Sequence, residues 1–322
     1  MVTLTFMKAA KNKYLKDKKM ADVKNYQEVV EIASKHLGKV GGDGYKDTYA
    51  PELLVKVPRN LNREGYGLTG EEFKGVDTWN AYEVSAITTK GQPVAGMLKI
   101  VCPCDSTHHV ESKSIKLYLN SFNMTRIGDT AADCIKGIEA RVKRDLDELL
   151  ETDTTITFYS TIEEANPLSF QGYTNIAELA NLDEIDFTSF KSDASQLEGG
   201  YKPELDNEIR FKSDLLRSNC RVTNQPDWGD VFIYMKGDNL PTPESLAKYI
   251  VSHRTVSHFH EEICEMVYAH LTEAFKPQRL MVACLYTRRG GIDINPIRGS
   301  HSYLIPEFFT NPDYTISKTL RQ

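Results

Sequence analysis

Leu215-Leu-Arg-Ser-Asn-Cys-Arg-Val-Thr-Asn-Gln-Pro-Asp-Trp-Gly-Asp-Val-Phe-Ile-Tyr-Met235 begins apolar, turns polar, passes through a dense cluster of turn formers and becomes apolar again. The apolar ends read as strands, and Asn224-Gln-Pro-Asp-Trp-Gly229 reads as the turn between them. A strand-to-turn transition puts side chains at the rim of a scaffold, where reactive groups are commonly found. Cys220 is a candidate nucleophile there, and Asp227, seven residues on, is a candidate acid that exchanges its proton. The plainer reading makes Cys220 one more small buried hydrophobe, and spacing alone favours it.

Working outward, the same order of elements occurs twice. In the first half Tyr82–Thr88, Val94–Val101 and Ser114–Leu119 are rich in β-branched and aromatic residues and read as strands. A helix follows, with Ile135, Ile138, Val142, Leu146 and Leu149 on one face and a capped start at Thr130 and Asp133. Thr154–Tyr159 closes the unit. In the second half Asp230–Met235 leads into a helix with Thr242 as N-cap and Pro243 in its first turn. A second helix begins around Ser257, and Leu280–Tyr286 is the closing strand. This order predicts an α+β fold of two tandem modules, each an antiparallel sheet with helices on one face. The expected limits are an extension over residues 1–35, a first module over 36–162, an acidic connector over 163–207 and a second module over 208–322.

Composition narrows the function. The 322 residues are 40% hydrophobic and 26% charged, with a formal charge of −6 and a pI of about 5.8. A protein that grips phosphate backbones carries a basic surplus, so direct nucleic-acid binding is not expected. Six irregularly spaced cysteines do not make a disulfide framework and point to a reducing cytoplasm. No stretch reaches the roughly 20 apolar residues of a membrane span. Met1–Lys24 is lysine-rich without the apolar core of a secretory signal, and reads as a solvated, poorly ordered extension in which Met20 is an alternative start.

Two further clusters carry chemistry. Ser257-His-Phe-His-Glu-Glu262 places His260 and Glu261 in a helix's first turn, where free N–H groups favour a carboxylate. A carboxylate there can accept two N–H donors from a guanine-like edge, although an isolated acidic helix start is more often simple charge tuning. In Val110-Glu-Ser-Lys-Ser-Ile-Lys-Leu-Tyr118, Lys113 and Lys116 with nearby hydroxyls could hold a phosphorylated cofactor, or could be the solvated face of a strand. Cys102-Pro-Cys104 with His108-His109 is a candidate metal group, but its one-residue gap is tighter than structural zinc spacing, and no metal is expected.

Taken with Tyr45–Tyr49, Val57–Arg63, Ser218-Asn-Cys220, Gln225–Trp228 and Tyr286–Pro296, these clusters resemble the NADPH-dependent 7-cyano-7-deazaguanine reductases, the nitrile reductases of queuosine biosynthesis, in their long two-module branch with the tunnelling fold. The resemblance runs from about Leu37 to the C-terminus. It implies that Cys220 is the nucleophile and Asp227 the general acid, with His260 beside them. It further implies that Glu111 and Glu261 hold the deazaguanine, with Val110, Ser112 and His260 next to it, and that Ser112, Lys113, Arg289 and Gly290 contact NADPH. Thiolate addition to the nitrile and reduction of the resulting thioimide to an amine would follow. The implied partner is the small-molecule nitrile, and the implied assembly is a homodimer. Departures are the N-terminal extension, the connector around Asn181–Gly200, and Arg221, which either lowers the thiol pKa or points to solvent. Alternatives are an amidine-forming relative acting on the nitrile in tRNA, disfavoured by the intact Glu111–Tyr118 motif, and a non-catalytic deazapurine binder, disfavoured by Cys220 and Asp227.

Overall fold

The computed structural model describes residues 46–160, 166–203, 206–319 and 322, together with Glu28 and Glu31. The expected extension over 1–35, including Met20, lies outside the described residues apart from those two glutamates, as does Tyr45.

One nine-stranded sheet carries both halves of the chain. Its members are β1 (Lys74–Ile87), β2 (Pro93–Pro103), β3 (Thr155–Tyr159), β4 (Thr174–Asn175), β5 (Glu208–Ser213), β6 (Arg217–Asn219), β7 (Pro226–Lys236), β8 (Arg279–Tyr286) and β9 (Ile292–Gly299). The order is β3-β2-β1-β9-β8-β7-β5-β4, with β6 paired to β7. Every pairing is antiparallel except β4 with β5. The halves join where β9 pairs with β1, Ile294 opposite Trp79 and Ile297 opposite Val76.

Four helices pack on one face: α1 (Ser112–Asn120), α2 (Ala131–Leu150), α3 (Pro243–Ser252) and α4 (His260–Phe275). The Thr130 and Thr242 side chains cap α2 and α3 as expected, accepting from the N–H of Asp133 and Ser245. Alternation along β7 separates the layers. Val231, Ile233 and Met235 meet α3 and α4, while Phe232 and Tyr234 point to the reverse face. There Phe170 from the connector stacks on Phe232 at 4.3 Å, and Phe308 and Phe309 complete a smaller core. The connector therefore carries ordered elements, including Asn166–Leu168, β4 and a short helix at Ile176–Leu179.

Two expectations need correction. Ser114–Leu119 is not a strand but part of α1. Glu111 caps it by accepting from the N–H groups of Lys113 and Ser114, and Ile115, Tyr118, Leu119 and Phe122 bury one face at helical spacing. The β-branched and aromatic composition of the segment masked that period. The helix expected to begin around Ser257 begins at His260, with the Phe259 N–H donating to Glu262 Oε2 at 3.0 Å.

The seam between the halves is ionic and buried. Arg59 Nη2 lies 2.6 Å and Arg298 Nη1 2.8 Å from Asp77, while Arg298 Nη2 lies 2.9 Å and Arg63 Nη2 2.8 Å from Glu265. Arg59, Arg63 and Asp77 come from the first half, Glu265 and Arg298 from the second. Burial alone would raise the Asp77 carboxyl, yet Arg298 and Arg59 outweigh it and hold the group far below its ordinary range.

Candidate active site

The hairpin quoted above brings its two reactive groups close by register. β6 pairs with β7 so that Ser218 faces Asp227 and Asn219 faces Pro226. Cys220 then opens a tight loop, closed by Cys220 N–H to Gln225 O at 2.8 Å and Asn224 N–H to Cys220 O at 3.0 Å. Asn224 takes the left-handed conformation that the turn requires, φ 55°. Of the six cysteines, all free, Cys220 alone is not buried.

Cys220 and Asp227 line a narrow cleft with Trp79, His109, Val110, Ser112, His258, Phe259, His260, Glu261, Arg289 and Ile294. Both halves contribute to it. Seven residues expected at the site therefore meet here: Val110, Ser112, Cys220, Asp227, His260, Glu261 and Arg289. Three do not line the cleft: Glu111, Lys113 and Gly290. The Glu111 carboxylate is engaged as the cap of α1 at 2.9 and 2.7 Å, and burial raises its pKa against those N–H donors.

Asp227 is buried and faces the Arg289 guanidinium, Nη2 at 2.9 Å, and the His260 imidazole, Nε2 at 3.4 Å. Burial pushes the carboxyl up, but His260, Arg289 and Lys116 outweigh it and hold Asp227 below the ordinary carboxylate range. Asp227 is thus an anion at neutral pH. His260 stacks on Tyr286 at 3.9 Å, which fixes its ring plane.

Glu261 behaves oppositely. Burial first, then the nearby Asp77, push its carboxyl up to about 8. Its Oε1 has no hydrogen-bond partner among the described residues, and neither do His109 Nδ1 and His260 Nδ1. His109 Nδ1 lies 3.9 Å from Glu261 Oε1, and burial and Arg59 push that imidazole down to about 4, so it is neutral. Buried polar atoms without partners are costly, and three around one cleft mark a place completed by a polar ligand.

Next to the cleft is a group of cations. Gly290 has a left-handed backbone, φ 56°, and a Cβ there would lie 3.2 Å from Lys116 Cδ. Lys116 is thus packed against the hairpin that carries Arg289, and burial with repulsion from Arg289 pushes its ammonium down to about 8. Half-buried Lys113 lies one turn earlier on α1. Lys116 was legible as a phosphate-binding candidate, but the strand reading hid that it meets Gly290.

Other cleft residues were missed. His109 entered only as a possible metal ligand, Ile294 only within the Tyr286–Pro296 motif, and Trp79 not at all. Cys102 and Cys104 belong to the two cores, with burial pushing Cys102 up to about 12. No group of three or more His, Cys, Asp or Glu residues suited to a metal occurs among the described residues. Arg221 does not face solvent. It is buried against Glu262 at 2.9 Å and His258 Nδ1 at 2.9 Å.

Comparison with known proteins decides the family. Residues 45–158 match the model for "Nitrile reductase, 7-cyano-7-deazaguanine-reductase N-term", and residues 226–303 match that for "QueF-like protein". The NADPH-dependent 7-cyano-7-deazaguanine reductase of Hahella chejuensis is 38% identical over 276 residues, 85% of this chain and 96% of that protein. The chain belongs to this family. The reductases of Azoarcus sp. (39% identical, 80% of this chain, 88% of that protein) and Colwellia psychrerythraea (33%, 92% and 99%) are similar across nearly their whole lengths. The apo crystal structure of an archaeosine synthase, QueF-Like, covers 31% of this chain and 95% of its own at a TM-score of 0.28 and 18% identity, too weak a likeness to add to this. Family membership and the α+β architecture with two matched modules therefore agree. No helix among the described residues is long and apolar enough to cross a membrane.

Proposed function

We propose that this chain reduces the nitrile 7-cyano-7-deazaguanine to the 7-aminomethyl compound through a covalent thioimide on Cys220. One observation carries the reading: the one cysteine that is not buried shares a cleft with an ionised carboxylate, Asp227, and with a buried carboxyl, Glu261, whose Oε1 has no hydrogen-bond partner among the described residues. Glu261 accepts N–H donors from the deazaguanine edge, which supplies the missing partner and favours the anionic form. His109 and His260 offer ring nitrogens to the same ligand.

The nitrile carbon is electrophilic. Asp227 takes the Cys220 proton, sulfur bonds to that carbon, and Asp227 returns the proton to the nitrile nitrogen, giving a neutral thioimide. His260, in contact with Asp227, can replenish the proton needed as nitrogen becomes an amine. Arg289 holds Asp227 in place and keeps it ionised between steps. Lys113, Lys116, Arg289 and Gly290 fit a dinucleotide phosphate, since an anion would relieve the repulsion between Lys116 and Arg289 and the bare Gly290 backbone lets it approach. NADPH, when bound, would supply two hydrides: after the first the C–S bond breaks and returns the Cys220 sulfur, leaving an imine, and the second with one proton gives the aminomethyl carbon and its amine. A non-catalytic binder would have no use for a paired thiol and carboxylate. We further propose a cytoplasmic homodimer acting on the free nitrile, in keeping with six free cysteines and the acidic charge balance.

The test uses the full chain with 7-cyano-7-deazaguanine. Without NADPH it should gain the mass of one nitrile and lose the Cys220 thiol. With NADPH, absorbance of the reduced nicotinamide should fall. Cys220→Ala should fold and do neither, and an adduct surviving that substitution would refute the nucleophile.

A further inference from the structure

The buried Arg221–Glu262 pair has no part in the steps above, yet each partner adjoins a functional residue. Arg221 follows Cys220, and Glu262 follows Glu261 in the first turn of α4. Arg221 Nη1 meets Glu262 Oε1 at 2.9 Å, with side chains 6% and 7% exposed. Arg221 Nη2 lies 2.9 Å from His258 Nδ1, and the guanidinium sits over the Phe259 ring at 5.9 Å. His258 Nδ1 lies between this guanidinium and Glu262 Oε2, 3.1 Å from the latter, and its Nε2 is 3.5 Å from the Tyr66 hydroxyl. Glu262 Oε2 accepts from the Phe259 N–H, so one carboxylate both starts α4 and grips the loop. The backbone adds two ties, Asn219 N–H to Val256 O at 2.7 Å and His258 N–H to Asn219 O at 3.1 Å.

We propose that Arg221, Glu262 and His258 are positioning residues that clamp the Cys220 loop to the first turn of α4, setting the thiol in register with the substrate carboxylate Glu261. The inference deepens the nitrile-reductase reading and rests on it. A clamp of this kind acts on the approach of sulfur to carbon, not on affinity for the heterocycle, whose anchor belongs to α4 itself. Both charges are buried, so loss of one removes the other's ion-pair partner at 2.9 Å, whereas loss of both removes the two charges together.

The experiment compares the parent with Arg221→Leu, Arg221→Lys, Glu262→Gln and the Arg221→Leu/Glu262→Gln double variant, each checked by thermal melting. In each, thioimide formation without NADPH is timed by mass. Nitrile affinity is measured in a Cys220→Ala background, and alkylation of Cys220 by iodoacetamide is timed separately, the other five cysteines being buried. Arg221→Leu should slow adduct formation by about tenfold or more, because displacing a reacting group by an ångström has effects of that order. Nitrile affinity should stay within about threefold, while Cys220 alkylation should rise about threefold or more as the loop is released. Arg221→Lys should recover most of the adduct rate, and the double variant should be no slower than either single change. Parent-like adduct and alkylation rates in folded Arg221→Leu or in the double variant would overturn the clamp. So would equal loss of affinity and adduct rate, which would place the effect on the anchor. A parent that forms no adduct would refute the nitrile-reductase reading instead, and the alkylation contrast would still judge the clamp.

Discussion

Glu261→Gln is expected to weaken nitrile binding and, in the free protein, to raise stability at alkaline pH. In the unfolded chain this carboxyl titrates at its ordinary 4.5, but burial and then Asp77 raise it to about 8 in the fold. A group raised in this way contributes stability that is fully present below about pH 4.5 and is lost as pH climbs through about 8. The whole displacement corresponds to at most about 5 kcal/mol, reduced by whatever relaxation the charged form induces. Glutamine keeps the shape and carries no charge, so its advantage should be near zero at pH 4.5, grow with pH and level off above 8. Thermal melts at pH 5, 7 and 9 read this directly, at about 2–4 °C or somewhat less per kcal/mol for a chain of this size. Binding should move the other way. Losing the charged acceptor for the deazaguanine N–H groups should cost about 1–3 kcal/mol, or about 5- to 150-fold in Kd, measured by titrating nitrile into the Cys220→Ala background. For the same reason the parent's affinity should increase from pH 6 to pH 9, because binding requires the ionised form. A Glu261→Gln protein that melts below the parent at pH 9, or binds nitrile equally well, would refute the reasoning.

Asp227→Asn should retain nitrile affinity but slow thioimide formation by about 100-fold or more at neutral pH, since the proton acceptor is gone; mass-resolved adduct kinetics give the answer, and a parent-like rate would remove Asp227 from the mechanism. Lys113→Ala should raise the NADPH concentration required, reduce the preference for NADPH over NADH and leave adduct formation near normal. Arg289→Ala should impair both steps, because Arg289 also meets Asp227 at 2.9 Å; steady-state kinetics beside adduct kinetics separate the two. Arg298→Met should destabilise the fold by about 3–5 kcal/mol in urea unfolding, because it leaves Asp77 and Glu265 each short of a buried counter-ion, and a loss below 1 kcal/mol would show that the seam is not a cooperative network.

Local signals were enough for the paired arrangement of strands and helices, the Thr130 and Thr242 caps, and the grouping of Cys220, Asp227 and Glu261 that the structure brings to one cleft, since each depends on neighbours within a few residues or on an intact motif. Where burial on both faces or a long-range pair decides, local pattern misleads. α1 read as a strand because Ile115 and Tyr118 favour one by composition, and only the Glu111 cap and the core beneath the helix settle the matter. β9 lies in the middle of the sheet with all eight residues buried, so the polar half of the alternating Ile292-Asp-Ile-Asn295 faces protein and not solvent, and Asp293, Asn295 and Arg298 find partners on β1 and α4. Arg221 does not point to solvent as one expectation had it, because Glu262, 41 residues away, offers a buried counter-ion. Motif residues thus named the chemistry from the sequence by itself. Only the tertiary structure decided how two of them titrate, because the burial and the Asp77 charge that raise Glu261, and the His260, Arg289 and Lys116 groups that hold Asp227 down, come from residues distant in the chain and adjacent in space.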